Sequence, residues 1–353
     1  MKNTVLRKTV IFVLAGIAVL GSLAGCGGAG SLENASAESA APAGEESQQL
    51  QTIRVGIMTG QPDQYAILIG TEEGIFEKYG LSVETSEYAV GINTVDAIVN
   101  GNADTGLLAD FAAVNRLGNT LHNTNLNLFA ELGMSTANSG GIYVAPEYAE
   151  DPSSLDQSAG WITNIGTVSE YYTWQAQTYL GLNPDTQNLV NTDSTQTALA
   201  AATNGDATAS VQTGASATRF EEIGWVKIAS PEDFGYQVGT YLVTTDEFLD
   251  NNVDLLADYL TALDESMQFI NENLDDSAKR ISEKFGIGED DFKANWNQYN
   301  LIIGSTEEGA EHLEEVGEWA FSQGKYEEDY NIRDFIRTEA IEKAFPERVT
   351  VKK

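Results

Sequence analysis

Hydrophobic positions in the first half of the chain follow two different periods. Apolar and polar side chains alternate over short runs, which is typical of half-buried strands, and between those runs apolar side chains recur at every third or fourth position, which is typical of amphipathic helices. Gly80 marks the end of one helical run. The predicted strands are 52–58, 81–88 and 104–108, and the predicted helices are 65–79 and 93–100. This order predicts a parallel sheet with crossover helices.

The same order of elements recurs with different residues, which predicts a second α/β lobe. Its predicted strands are 159–166, 187–191 and 207–212, and its predicted helices are 169–180 and 194–204. Two apolar runs that begin with glycine flank this region, near Gly140–Val144 and Gly239–Val243. They are interpreted either as segments that cross between the lobes and act as hinges or as ordinary edge strands.

The C-terminal third has a helical pattern. Its apolar side chains recur at steps of three and four and predict one long helix with a buried face; they are Leu256, Tyr259, Leu260, Leu263, Met267 and Ile270. Acidic residues fall between them and are interpreted as the solvated face of that helix; they are Asp264, Glu265, Glu272 and Asp275.

Composition narrows the class of protein. The chain has 353 residues, of which 42% are hydrophobic, and a net charge of −34. This length is sufficient for a sizeable core in roughly two domains. Nucleic-acid binding is not expected, because so acidic a chain has no basic stripe to contact a phosphate backbone.

The N-terminus has the pattern of an export signal. The cations Lys2, Arg7 and Lys8 precede an almost wholly apolar run at 9–20, and the small residues up to Cys26 follow. This ending resembles a bacterial lipobox, which implies a signal peptide at 1–25 and lipidation of Cys26. A buried thiol and an uncleaved anchor are the alternatives. The Gly-, Ala-, Ser- and Glu-rich segment 26–51 is predicted to be a flexible tether to the membrane.

Three further segments resemble one family of binding proteins. The run EGIFEKYGLSVE at 73–84 is similar to the pattern E-G-[IL]-F-x-K-x-G-L-x-V-E of solute-binding proteins of the nitrate, sulfonate and taurine class, which are related in fold to pyrimidine-binding thiamine-precursor proteins. The runs 96–104 and 200–209 are similar to that family's A-L-x-x-G-x-x-D steps, with Thr208 where an acid is commoner. The resemblance spans about residues 50–345.

The resemblance implies an α/β periplasmic-binding-protein fold of the second type, with two lobes joined by two crossing hinge segments and a helical C-terminal region. Lobe 1 is expected to comprise 52–141 and 240–353, and lobe 2 to comprise 142–239. The implied function is capture of a small molecule between the lobes and its delivery to an ABC importer permease by a lipid-anchored monomer at the extracytoplasmic face of the membrane. No cofactor and no metal are expected. A sensor subunit and an adhesin are the other non-enzyme alternatives.

The binding site is predicted where loops and helix N-termini meet at the carboxyl ends of the strands. Asn93 is interpreted as a helix cap or a ligand contact, and Asp110 likewise. The candidate residues are Thr59, Gln61, Asp63, Tyr65, Gly91, Asn93, Ala109, Asp110, Thr167, Ser169, Glu170, Tyr171 and Thr213.

The charges of these loops indicate a class of ligand. Asp63, Asp110 and Glu170 are carboxylates, and the loops contain no lysine or arginine. Because carboxylates repel an anion in a desolvated site, the sequence predicts a neutral or cationic ligand, such as a heteroaromatic compound or an amine. Uptake of sulfonate, taurine or nitrate is the alternative.

No enzymatic activity is predicted. The chain has two histidines, His122 and His312, and lacks the H-E-x-x-H, G-x-S-x-G and Walker motifs. His312 lies in an acidic helical run and is interpreted as a solvated histidine rather than a metal ligand.

Overall fold

The structure is a computed structural model that describes residues 49–88, 91–136, 140–155 and 160–352. The predicted signal peptide, Cys26 and most of the predicted tether lie outside the described residues. Residues Gln48–Lys353 form one compact unit. Its strands are β1 (Gln51–Met58), β2 (Leu81–Tyr88), β3 (Thr105–Ala109), β4 (Leu126–Ser135), β5 (Gly140–Val144), β6 (Gly160–Thr163), β7 (Asn188–Asn191), β8 (Ala209–Thr213), β9 (Val226–Ala229), β10 (Gly239–Thr245) and β11 (Tyr299–Asn300).

Helices pack on both sheets, and none in the described part of the chain is long and apolar enough to cross a membrane. The helices are α1 (Pro62–Glu72), α2 (Ile75–Lys78), α3 (Gly91–Val99), α4 (Asp110–Gly118), α5 (Val168–Tyr179), α6 (Thr195–Asn204), α7 (Gly214–Glu222), α8 (Asp246–Asn251), α9 (Val253–Glu272), α10 (Leu274–Phe285), α11 (Glu289–Trp296), α12 (Glu307–Ser322) and α13 (Glu339–Ala344).

The two lobes are built on the same plan. The sheet of lobe 1 has the order β11-β4-β10-β3-β1-β2, and the sheet of lobe 2 has the order β7-β6-β8-β5-β9. The strands β1, β2 and β3 run parallel in lobe 1, and β6, β7 and β8 run parallel in lobe 2. In each sheet a strand that enters from the other lobe pairs antiparallel with the last of these three. This strand is β10 in lobe 1 and β5 in lobe 2.

The chain crosses between the lobes twice along these paths, from β4 to β5 and from β9 to β10. The runs at 140–144 and 239–244, predicted as crossing segments or edge strands, form β5 and β10, each paired on both sides within its sheet. The second crossing segment therefore lies between β9 and β10.

Three differences from the predicted elements have local causes. The predicted helix 65–79 is divided into α1 and α2, because Gly74 adopts a left-handed φ of 70°. The strand β4 was not predicted, because eight of its ten residues are buried and it lacks the alternation of a half-buried strand. Asp264, predicted to be solvated, is 6% exposed and its Oδ1 lies 2.7 Å from Nη1 of Arg348. The apolar stripe of α9 is buried as predicted.

Candidate functional site

A cavity of about 410 Å³ lies between the lobes. Lobe 1 contributes Met58, Gln61 and Ala109 to its wall, at the carboxyl ends of β1 and β3. The larger part of the wall comes from lobe 2, from the carboxyl ends of β6, β7 and β8 and the helices that follow them. The crossing segment before β10 and the segment between α11 and β11 close it with Tyr236, Val238, Gln298 and Tyr299.

Five helices begin at this cavity. The N-caps of α1, α4, α6 and α7 lie in its wall, and α5 contributes its first two residues; the wall residues at these helix starts are Gln61, Ala109, Val168, Ser169, Ser194 and Thr213. The first backbone N–H groups of a helix have no partner within that helix, and the helix dipole places partial positive charge there. The cavity wall therefore carries the partial positive charge of five helix starts, which favours a negatively charged group. Some of the N–H groups at these starts already donate to side-chain oxygens, namely those of Phe111, Ser169, Thr197 and Ala215.

Formal charge is scarce in the described part of the wall. It contains no lysine, arginine or histidine, and its one acidic residue is Asp193, which is exposed. Oδ1 of Asp193 accepts a hydrogen bond from Thr197 at 3.1 Å. The remaining polar groups are hydroxyls and amides, which can orient a small solute without placing a full charge beside it.

Three tyrosines provide aromatic surface in the wall: Tyr172, Tyr236 and Tyr299. Burial, with a smaller effect from the Asp110 charge, raises the pKa of Tyr299 to about 12. Burial also raises the pKa of Tyr172 and of Tyr236 well above the ordinary value. All three side chains are therefore neutral at physiological pH, able to donate a hydrogen bond or to stack on a flat group.

Four of the sequence-predicted residues lie in the cavity wall: Gln61, Ala109, Ser169 and Thr213. Thr167 lies at its edge as the N-cap of α5, where its side chain accepts a hydrogen bond from the backbone N–H of Ser169 at 3.2 Å. Thr167 thereby stabilises the start of the helix that carries Ser169. A direct role of these residues in binding stays a prediction.

The other residues predicted from the first loop are placed differently. Asp63 is fully buried, and Tyr65 packs edge-on against Phe285 and Phe292 in the core of lobe 1. Thr59 is exposed outside the wall, and its backbone N–H donates to the carbonyl of Tyr88. The helix α1 starts at Pro62, immediately after Gln61. The residues of its first turn are buried in the core of lobe 1 and do not face the cavity.

The remaining carboxylates have partners outside the cavity. Asp110 is fully buried beneath the wall, where its Oδ2 lies 2.7 Å from Nε2 of His312. Glu170 accepts from Lys325 at 2.9 Å. His312, predicted to be solvated, is therefore a buried partner of a carboxylate, because α12 turns this face toward α4 and not toward water.

Tyr171, Asn93 and Gly91 also lie outside the described wall. Tyr171 is buried, with its ring centroid 4.9 Å from that of Trp319. Asn93 is exposed within the first turn of α3, which begins at Gly91. Among the described residues, no group of three or more His, Cys, Asp or Glu side chains is placed to hold a metal ion.

Some wall residues were not predicted. The run Thr192–Thr195 follows β7 and precedes α6, so the carboxyl-end rule would have found it if applied to that strand. By contrast, Tyr236, Gln298 and Tyr299 come from a crossing segment and from the C-terminal third. No local pattern marks these residues, because their position depends on how distant parts of the chain meet.

Comparison of structures identifies the fold. The periplasmic aliphatic sulphonate binding protein SsuA from Escherichia coli has a TM-score of 0.70 at 14% identity, with 81% of this chain and 97% of that chain covered. The alkanesulfonate-binding protein SsuA from Xanthomonas axonopodis pv. citri, bound to MOPS, gives 0.65 at 11% identity over 81% and 98%. The periplasmic nitrate-binding protein NrtA from Synechocystis PCC 6803 gives 0.64 at 14% identity over 85% and 89%.

The chain therefore has the two-lobed α/β fold of periplasmic binding proteins, and the fold predicted from the sequence is confirmed. Its structural neighbours include sulfonate-binding and nitrate-binding proteins, the class that the motif at 73–84 resembles. No family model and no curated protein sequence matches the chain.

Proposed function

We propose that this protein captures a small solute in the cavity between its lobes and delivers it to an ABC importer. The fold, the cavity between the lobes and the kinds of proteins that share this architecture support the proposal. Lipidation of Cys26 would hold the protein at the extracytoplasmic face of the membrane, and the segment 26–51 would let the lobes reach the permease.

The solute that fits this cavity best carries an oxyanion group, such as a sulfonate. The observation that carries this assignment is the meeting of five helix N-termini around one cavity that has no basic side chain in its described wall. Backbone N–H groups and helix dipoles stabilise an anion without a formal positive charge. The sulfonate and nitrate that the structural neighbours are named for belong to the same chemical class.

A cationic ligand requires negatively charged side chains that face the cavity. In the structure Asp63 lies in the core, Asp110 contacts His312 and Glu170 contacts Lys325. Because none of these three carboxylates lies in the cavity wall, little negative charge is left there to attract an amine.

A neutral heteroaromatic solute is the second candidate. The three wall tyrosines favour it, because their neutral rings can stack on a flat compound and their hydroxyls can pair with ring nitrogens or carbonyls. Both classes of solute would bind in the same cavity. Binding measurements can therefore distinguish them, whereas the location of the site cannot.

Calorimetric titration of the purified protein tests the proposal. The panel contains ethanesulfonate, taurine, nitrate, uracil, benzylamine and putrescine. We expect ethanesulfonate to bind and putrescine not to bind. Binding of uracil alone would favour the second candidate, and tight binding of the amines alone would contradict the assignment of an oxyanion.

Lipidation is tested separately in cells by labelling with a palmitate analogue. We expect the wild-type protein to take up the label and Cys26→Ala not to take it up. The chain has no other cysteine, so label that persists in Cys26→Ala would contradict acylation at this sulfur.

A further inference from the structure

A buried polar network joins the two lobes directly beside the cavity. Its centre is the carboxylate of Asp110, the first residue of α4. Oδ1 accepts a hydrogen bond from the backbone N–H of Phe111 at 2.6 Å, and Oδ2 accepts one from the backbone N–H of Gly239 at 3.0 Å. Nε2 of His312 lies 2.7 Å from the same Oδ2. Both side chains are almost completely removed from solvent.

The third side chain of the network comes from the other lobe. The hydroxyl of Tyr172 donates to Oδ2 of Asp110 at 3.1 Å and also contacts the carbonyl of Gln237 in the crossing segment. Tyr172 belongs to α5, and its ring forms part of the cavity wall. One carboxylate therefore links α4 and α12 of lobe 1 to a wall residue of lobe 2.

Two neighbouring contacts hold α5 against lobe 1 on the same side of the cavity. Glu170 accepts from Nζ of Lys325 at 2.9 Å, and the ring of Tyr171 packs on Trp319. The first turns of α5 thus lie against α12 and the residues that follow it. Because α5 also supplies Val168 and Ser169 to the wall, its docking determines whether the cavity is closed on this side.

His312 supplies the charge that a buried carboxylate needs. Burial lowers the pKa of His312, but its hydrogen bond to Asp110 and the charges of Asp110, Glu315 and Glu131 raise it more, so the pKa lies above the ordinary value. Tyr172 and Tyr241 also face the network, and burial raises the pKa of each well above the ordinary value. Tyr171, Tyr236 and Tyr299 interact with the Asp110 charge, and burial raises their pKa values too. Burial also raises the pKa of Glu131, which faces His312. The raised pKa of His312 means that the folded network favours the protonated imidazole.

We propose that His312 is a positioning residue for solute capture, which acts through Asp110 to hold Tyr172 and the start of α5 across the cavity. Loss of the His312 proton removes the positive partner of the buried Asp110 side chain, and the contact between the lobes weakens. The cavity then opens on the α5 side. The expected change in affinity rests on the proposed function, because it requires that the protein binds an oxyanion. The expected change in the distance between the lobes does not require this.

Two measurements as a function of pH test this role: the affinity for ethanesulfonate, and the radius of gyration from small-angle scattering of the ligand-free protein. For the wild type we expect affinity to fall about tenfold, and the radius to rise, between about pH 6 and about pH 9. In His312→Gln, which keeps a donor near Nε2 but has no charge, both quantities should stay at their high-pH values throughout. The double variant H312Q/D110N, which removes both charges, should restore the compact form at every pH.

Two further variants complete the test: one removes the contact between the lobes without changing His312, and the other is a control at the second histidine. Tyr172→Phe removes only the hydroxyl that joins the lobes, so it should give the larger radius at all pH values even if His312→Gln does not fold. His122→Gln is the matched control, because the His122 side chain is 78% exposed and contacts Glu328 at the surface; it should keep the wild-type profile. A wild-type pH profile in Tyr172→Phe or in folded His312→Gln would overturn the proposal. If the radius responds as expected but ethanesulfonate binds at no pH, the positioning role is supported and the oxyanion assignment alone fails.

Discussion

Oδ1 of Asn295 in α11 accepts a hydrogen bond from the backbone N–H of Ala215 at 3.1 Å. A residue from the C-terminal third thus satisfies one of the free donors at the start of α7 in lobe 2. Gly214 makes this approach possible, because a Cβ at its position would lie 2.7 Å from the same oxygen. Arg219 and Asp291 join the two helices again at 3.0 Å. α11 therefore fixes the helix whose N-cap, Thr213, lies in the cavity wall.

Two substitutions of Asn295 distinguish the effect of its hydrogen bond to Ala215 from the effect of a negative charge at the start of α7. Asn295→Asp keeps the acceptor and adds a negative charge near the start of α7, so we expect the free energy of unfolding to stay within about 1 kcal/mol of the wild type. The same charge should lower the affinity for ethanesulfonate by about tenfold. Asn295→Ala, the control, loses the hydrogen bond at a cost of about 1 kcal/mol and adds no charge. Urea unfolding and calorimetric titration measure both quantities, and equal affinities in the two variants would contradict the expected effect of charge.

Asp63 makes stability depend on pH. It is fully buried, and among the described residues its carboxyl oxygens form no hydrogen bond of ordinary geometry. Burial raises its pKa to about 7, partly offset by the backbone N–H groups of Gln64 and Asp63. The unfolded chain releases this proton at about pH 4, whereas the folded protein keeps it until about pH 7. The free energy of unfolding should therefore fall as the pH rises through this interval, by at most about 4 kcal/mol.

Asp63→Asn removes the charge and keeps the shape. We expect it to unfold at higher urea concentration than the wild type at about pH 8, and to be little changed at about pH 3, where the carboxyl group is mostly protonated in both the folded and the unfolded chain. Asp193→Asn, at an exposed carboxylate, is the control and should not alter the pH dependence. If Asp63→Asn unfolds with the same pH dependence as the wild type, Asp63 is not the source of it.

Gly141 lies where β5 is closely flanked by its neighbours. Its φ is +156°, and a Cβ there would lie 2.0 Å from the carbonyl oxygen of Ala229 in β9. Gly141→Ala should therefore destabilise the protein by more than about 3 kcal/mol or prevent folding. Gly181→Ala is a matched control, because Gly181 also has a left-handed φ, of +73°, but has nothing within 4 Å. That variant should cost about 1–2 kcal/mol. If the two variants have similar thermal midpoints, the short distance between position 141 and the carbonyl oxygen of Ala229 does not limit stability.

The sequence predicted those parts of the fold that local patterns specify. β2 alternates and was predicted over its full length, whereas β4 is buried on both faces and gave no alternation to detect. For the candidate site, the starts of α4 and α7 were found because they follow strands of recognisable pattern. The partners of the acidic residues could not be found this way. Asp110 meets His312 across 202 positions of sequence, and only the packing of α4 against α12 brings them together.

The central claim is that helix N-termini in the cavity hold an oxyanion, and one pair of variants at Ala109 tests it most directly. Ala109 is the N-cap of α4 and lies in the wall. Asp and Asn are both good N-caps, so Ala109→Asp and Ala109→Asn should preserve the helix and differ mainly in one charge. Calorimetric titration with ethanesulfonate should show that the Asp variant binds at least about tenfold more weakly than the Asn variant. Equal affinities in the two variants, or no binding by the wild type, would contradict the claim.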